Sequence, residues 1–165
     1  MDTIILIGMP NTGKTSVGRI LAHDIDKRFI DTDEYINTIT HLTPREIVVT
    51  KGEKAFLKIQ QELLINMDMQ NAVIATGGSV VYSGRLMEYL KKNGYIIYLN
   101  TQLEELRDRL TKERRIVGSN KICFEQLYKE RHALYKKYAH KEIDCTGKLV
   151  QDIVEQIKEE VMDNE

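Results

Sequence analysis

Gly8-Met9-Pro10-Asn11-Thr12-Gly13-Lys14-Thr15 is the stretch that decides the fold of this chain. It fits G-x-x-x-x-G-K-[ST], the phosphate-binding loop called Walker A. The flanks carry the reading. Before the loop, Thr3-Ile4-Ile5-Leu6-Ile7 is a short apolar, β-branched run, expected as a buried strand. After it, Val17, Ile20, Leu21 and Ile25 recur at the spacing of an amphipathic helix, expected to end near Asp26. Strand, glycine loop, helix is the order in which this motif works. Gly8 and Gly13 let the backbone turn and bring N–H groups close to phosphate oxygens. The helix N-terminus adds unsatisfied donors. Lys14 would set a cation on the β- and γ-phosphates, and the Thr15 hydroxyl can ligate Mg²⁺. A glycine loop with a chance lysine does not account for both flanks. The expected nucleotide ligands are Gly8, Pro10, Asn11, Thr12, Gly13, Lys14, Thr15 and Ser16, with ATP and Mg²⁺ as the bound species.

The bulk numbers bound the rest. At 165 residues the chain suits one domain, 1–165, able to bury a core without staples. A net charge of −1 gives no basic footprint for nucleic acid. The two cysteines, Cys123 and Cys145, lack metal-type spacing and fit a reducing cytoplasm. Nothing resembles a signal peptide, and no run approaches the roughly 20 apolar residues of a membrane span. A cytoplasmic monomer is expected, with a small-molecule acceptor as partner.

Along the chain, Arg28-Phe29-Ile30-Asp31-Thr32-Asp33 reads as a short strand ending in two carboxylates on one side. Beyond the carboxyl end of a parallel strand, one could hold Mg²⁺ through water and the other accept a proton. Asp33 as a plain helix cap is an equal account from the residues alone. Thr43-Pro44-Arg45-Glu46 is a capping box opening a short helix that ends before Gly52. A longer helix follows, with Phe56, Ile59, Leu63 and Met67 on one face. Ala72–Thr76 is a second buried strand, and Gly77-Gly78-Ser79 after it permits close backbone approach or forms a simple turn. A helix marked by Leu86, Tyr89 and Leu90 stops at Gly94. Tyr95–Leu99 is a further strand, and Thr101-Gln102-Leu103-Glu104 is a second capping box. Residues 111–122 lose all periodicity and read as a basic loop. Arg131 falls inside the apolar stripe of Phe124, Leu127, Leu134, Tyr135 and Tyr138. A half-buried arginine needs an anion, either a bound carboxylate or a structural salt bridge. Glu142–Cys145 and the stripe Leu149–Val161 supply a last strand and helix. The alternation argues for a parallel sheet with helices on both faces.

These features in this order resemble the shikimate kinase family over essentially the whole chain: the N-terminal Walker A, Asp31-x-Asp33, Gly52-Glu53-x-x-Phe56, Ala75-Thr76-Gly77-Gly78, a basic segment ending in Arg115, and Arg131-x-x-Leu134-Tyr135. The resemblance implies a three-layer P-loop kinase fold with a five-stranded parallel sheet and a basic lid loop. It places the substrate-binding segment at about 33–62 and the lid at about 111–122. It implies transfer of the γ-phosphate of ATP to shikimate, with Mg²⁺. Under it, Lys14, Asp33 and Arg115 are catalytic, with Asp33 as base. Thr15 and Asp31 stand by the metal. Arg109 packs near the adenine, with Arg107 as rival, and Arg115 reaches the phosphates with Arg114 as rival. Asp33, Gly77, Gly78, Ser79 and Arg131 bind the acceptor.

Departures from the family pattern are specific. Leu57 and Gln60 stand where arginine and glutamate are usual, Ser79 replaces a third glycine, and the lid reads Arg115-Ile116-Val117-Gly118. Loss of both members of an ion pair suggests a refitted acceptor pocket, since losing one alone would strand a charge. Competing readings are a related kinase of another polyol, hydroxy acid or amino-acid alcohol such as homoserine, a non-catalytic nucleotide-binding module, and a nucleoside monophosphate kinase.

Overall fold

The computed structural model describes residues 1–109 and 123–165. The apolar runs found in the sequence are its strands: β1 (Thr3–Ile7), β2 (Arg28–Asp31), β3 (Ala72–Ala75), β4 (Tyr95–Asn100) and β5 (Lys141–Asp144). They form one parallel sheet in the order β2-β3-β1-β4-β5. β1 is central, and Ile4, Ile5, Leu6 and Ile7 are all fully buried. A strand covered on both faces must be apolar at every position, so the run shows no alternation.

Its side chains nevertheless divide by parity. Ile5 and Ile7 join a cluster with Leu64, Leu86, Leu90, Leu127 and Tyr135. Ile4 and Leu6 join Val17, Leu21, Ile153, Val154 and Ile157 on the other face. The helices supplying these residues are α1 (Lys14–Asp24), α4 (Glu53–Ile65), α5 (Gly84–Asn93), α7 (Phe124–Tyr138) and α8 (Val150–Asp163). Each buried Ile or Leu contributes about 1.5–3 kcal/mol, and the two layers hold the sheet rigid beneath the loops at its carboxyl edge. Among the described residues no helix is long and apolar enough to cross a membrane.

α2 (Thr32–Thr40) and α3 (Pro44–Lys51) extend from this body and close a small core of their own with α4. Ile36, Ile47 and Phe56 form its centre, with Leu42, Val48 and Leu57 packed around. α3 opens on the expected capping box: the Glu46 amide donates to Thr43 Oγ1 at 3.2 Å, and the Thr43 amide donates to Glu46 Oε2 at 2.8 Å. The second expected box does not form. α6 (Leu103–Arg109) starts after Thr101, whose buried hydroxyl has no hydrogen-bond partner among the described residues.

The buried face of α4 also differs from expectation. It runs through Phe56, Gln60 and Leu64, with Ile59 and Leu63 at its margin and Met67 beyond the helix end. Gln60 is fully buried, and neither amide atom has a partner among the described residues. An unsatisfied buried amide costs about 1–3 kcal/mol. Gln60→Met, of similar volume and without polar hydrogens, is therefore expected to raise the melting temperature, by about 2–4 °C for each kcal/mol recovered. Differential scanning calorimetry checks this; a lower melting temperature would show that the amide stabilises the fold.

Candidate active site

The phosphate loop spans the end of β1 and the start of α1. Gly8 has φ 153°, and a Cβ there would lie 2.6 Å from the Leu99 carbonyl oxygen on β4. Only glycine lets the loop leave the sheet so close to its neighbour. Asn11 adopts a left-handed φ of 67°, which asparagine tolerates. Arg109 clasps the loop from outside: its guanidinium donates to the Asn11 carbonyl at 3.0 Å and to Glu105 Oε1 at 2.7 Å. Lys14 is buried, and its ammonium donates to the carbonyls of Gly8 and Met9 at 2.7 Å each. The cation thus lies inside the curl of the loop, held by backbone oxygens.

The two aspartates divide their work differently from the sequence expectation. β2 stops at Asp31, so Asp33 lies in the first turn of α2 rather than on the strand. Asp31, not Asp33, is the cap. Its Oδ1 accepts from the amides of Asp33 at 2.9 Å and Glu34 at 3.2 Å. Its Oδ2 accepts from the Thr15 hydroxyl at 3.0 Å. One carboxylate therefore ties β2, α2 and the phosphate loop together. Asp33, released from capping, is half-buried and faces the glycine turn after β3; a Cβ added to Gly77 would lie 2.7 Å from Asp33 Oδ1.

That turn is anchored on both sides. Thr76 donates to the Leu6 carbonyl through both its amide and its hydroxyl, at 3.1 and 2.8 Å. The Gly77 amide donates to Thr32 Oγ1 at 3.1 Å. Gly78 begins a short 3₁₀ turn to Tyr82 and lets the backbone pass the Arg131 guanidinium, since a Cβ there would meet Nη1 at 2.8 Å. Arg131 is 1% exposed. Its Nε donates to the Tyr82 hydroxyl at 3.2 Å, and the guanidinium lies over the Tyr82 ring at 5.2 Å. The Tyr135 hydroxyl donates to the Gly78 carbonyl at 2.6 Å. Burial raises the pKa of both phenols, against an opposing pull from Arg131. Both phenols stay neutral: Tyr82 accepts from Arg131 and donates to Glu130 Oε2 at 2.8 Å, while Tyr135 holds the Gly78 carbonyl beside the guanidinium.

One cavity of about 690 Å³ gathers these groups, lined by Lys14, Thr15, Asp31, Asp33, Gly77, Gly78, Ser79 and Arg131. Pro10, Asn11, Gly13 and Ser16 also line it, while Thr12 is buried beneath the loop. Arg109 stands outside, against Asn11. Arg114 and Arg115 lie outside the described residues, as does the basic loop at 111–122. Leu57 packs into the small core with Phe56 and is not part of the cavity wall. Two features of the site went unread in the sequence. Tyr82 carried no signal of its own, and Arg45 was absorbed into a capping box although it lines the cavity.

The arrangement suits phosphoryl transfer: donors for phosphates, a carboxylate near the acceptor space, and a buried cation for an anionic acceptor. Comparisons with known proteins agree. The family model described as "Shikimate kinase" matches residues 10–162. The chain belongs to the shikimate kinase family. It is 35% identical over 167 residues to the shikimate kinase of Clostridium botulinum (strain Alaska E43 / Type E3), covering 99% of each chain. It is 37% identical to that of C. botulinum (strain Eklund 17B / Type B), again covering 99% of each. Among solved structures, shikimate kinase from Acinetobacter baumannii in complex with shikimate superposes with a TM-score of 0.90 at 28% identity, covering 100% of this chain and 95% of that one.

Proposed function

We propose that this protein transfers the terminal phosphoryl group of ATP to a hydroxyl of shikimate. The observation that carries the reading is that Lys14, Asp33 and Arg131 line one cavity in a chain of this family. The phosphate loop and Lys14 would cradle the β- and γ-phosphates, with Arg109 beside the loop and Arg115 the lid residue the resemblance supplies. Arg131 would hold the acceptor's carboxylate against the Gly77–Ser79 turn, aiming a ring hydroxyl at the terminal phosphorus. As the P–O bond to that hydroxyl forms and the bond to the leaving ADP oxygen breaks, Asp33 takes the hydroxyl proton. Thr15 and Asp31 fit a Mg²⁺ site, two oxygen donors 3.0 Å apart beside the phosphate loop. Mg²⁺ at phosphate sites needs few protein ligands, and one held by Thr15 and Asp31 would supply positive charge against the transferring phosphoryl group.

A second acceptor reading rests on Leu57 and Gln60. Neither offers a charge to the acceptor, and Leu57 lies off the cavity wall. One experiment separates the two: ADP release with ATP and Mg²⁺, with shikimate beside quinate and homoserine. Saturable turnover dependent on shikimate is expected. Turnover with another member of the panel and none with shikimate would assign the pocket to that acceptor.

A further inference from the structure

We propose that Arg45 is a specificity-determining residue of the acceptor pocket, giving a second cation to the acceptor's carboxylate opposite Arg131. The inference rests on the shikimate reading above. α3 presents Arg45, Val48 and Val49 to the cavity, positions i, i+3 and i+4, which form one helix face. The opposite face, through Ile47, is buried in the small core. Two features of this stripe lack a structural reason. Val49 is a branched apolar side chain left 59% exposed. Arg45 lies in the first turn of α3, where the helix macrodipole disfavours a cation. Arg45 has no hydrogen bond or ion pair among the described residues, and the neighbouring Glu46 carboxylate is taken up by the Thr43 amide.

A stripe with a cation at one end and two valines beside it complements a ligand with a carboxylate and a carbon skeleton. Arg131 turns its Nε to Tyr82, and a carboxylate accepts up to four hydrogen bonds, so such a ligand has acceptor sites for a second cation. Arg45 reaches the same cavity from α3, so the carboxylate would be gripped from two walls and its ring laid on Val48 and Val49.

The test is steady-state kinetics of Arg45→Ala and Arg45→Lys with shikimate and with its methyl ester, alongside thermal melting. A charge-assisted hydrogen bond sets the scale at roughly 10-fold or more. Arg45→Ala should raise KM for shikimate by about that factor while kcat, KM for ATP and the melting temperature stay near wild type. Arg45→Lys should recover part of the loss, and the methyl ester should not distinguish Arg45→Ala from wild type. If the wild-type chain turns over shikimate and Arg45→Ala leaves its KM unchanged, this inference is overturned and the kinase reading stands. If the wild-type chain does not turn over shikimate, the reading itself fails and takes the inference with it.

Discussion

Asp33→Asn is expected to lower kcat for the acceptor by about 10²- to 10⁴-fold, the usual worth of a positioned general base. The substitution keeps shape and removes the charge. Asp33 makes no cap, since Asp31 accepts from the first amides of α2, so helix and fold should survive. Thermal melting should stay near wild type, and nucleotide binding, followed with a fluorescent ATP analogue, should hold. That combination is diagnostic, because a misfolded variant would lose both. The transition state of phosphoryl transfer is loose and asks little of a base until late. A kcat within a few-fold of wild type would therefore assign Asp33 to acceptor binding alone, visible as a raised KM.

Lys14→Met is expected to lower kcat/KM for ATP by about 10²- to 10³-fold, the scale found when a preorganised charge aimed at a developing oxyanion is removed. Lys14 Nζ already sits inside the loop against two carbonyl oxygens, so its position is set before nucleotide arrives. A linear methionine fills similar space without the cation, and the loop should keep its curl. Lys14→Arg should fail as well, because a planar guanidinium does not fit a pocket shaped for a point charge. The check is kinetics in ATP beside direct binding. Retained turnover in Lys14→Met would remove this residue from the catalytic set.

Most of what positions the site was legible in the sequence, because the signals were local. The phosphate loop declares itself through spacing, and its flanking strand and helix through period. Arg131 betrayed its burial by lying within an apolar stripe. What failed depended on neighbours distant in sequence. Strand β2 ends two residues early because Thr32 is needed to hold Gly77, 45 positions on, and this passes the cap to Asp31. Gln60 was read only as a departure from the family pattern; the packing of α4 against α2, α3 and the glycine turn puts it inside. Thr101 has the right letters for a cap, yet the Gln102 amide donates to Thr146 Oγ1, just past the end of β5. Arg45 sat inside a motif already explained, which hid its other face. The contacts of the Arg109 side chain with Asn11 and Glu105 are ones that no periodicity encodes.

The position of β1 at the centre of the sheet carries a further consequence, in the order of synthesis. β1 ends at Ile7, while the strands that flank it begin at Ala72 and Tyr95. At about 5–20 residues per second, a ribosome leaves the β3 edge of this five-residue apolar segment unpaired for roughly 3–13 s and the β4 edge for roughly 4–18 s. Such a segment is a template for pairing with another chain. Val17, Leu21 and Ala22 of α1 emerge soon after and share the face of Ile4 and Leu6, so one side is shielded early. The Ile5 and Ile7 side waits for Leu64 and Met67, and the helix that carries Lys14 thus serves first as a cover for the newborn strand.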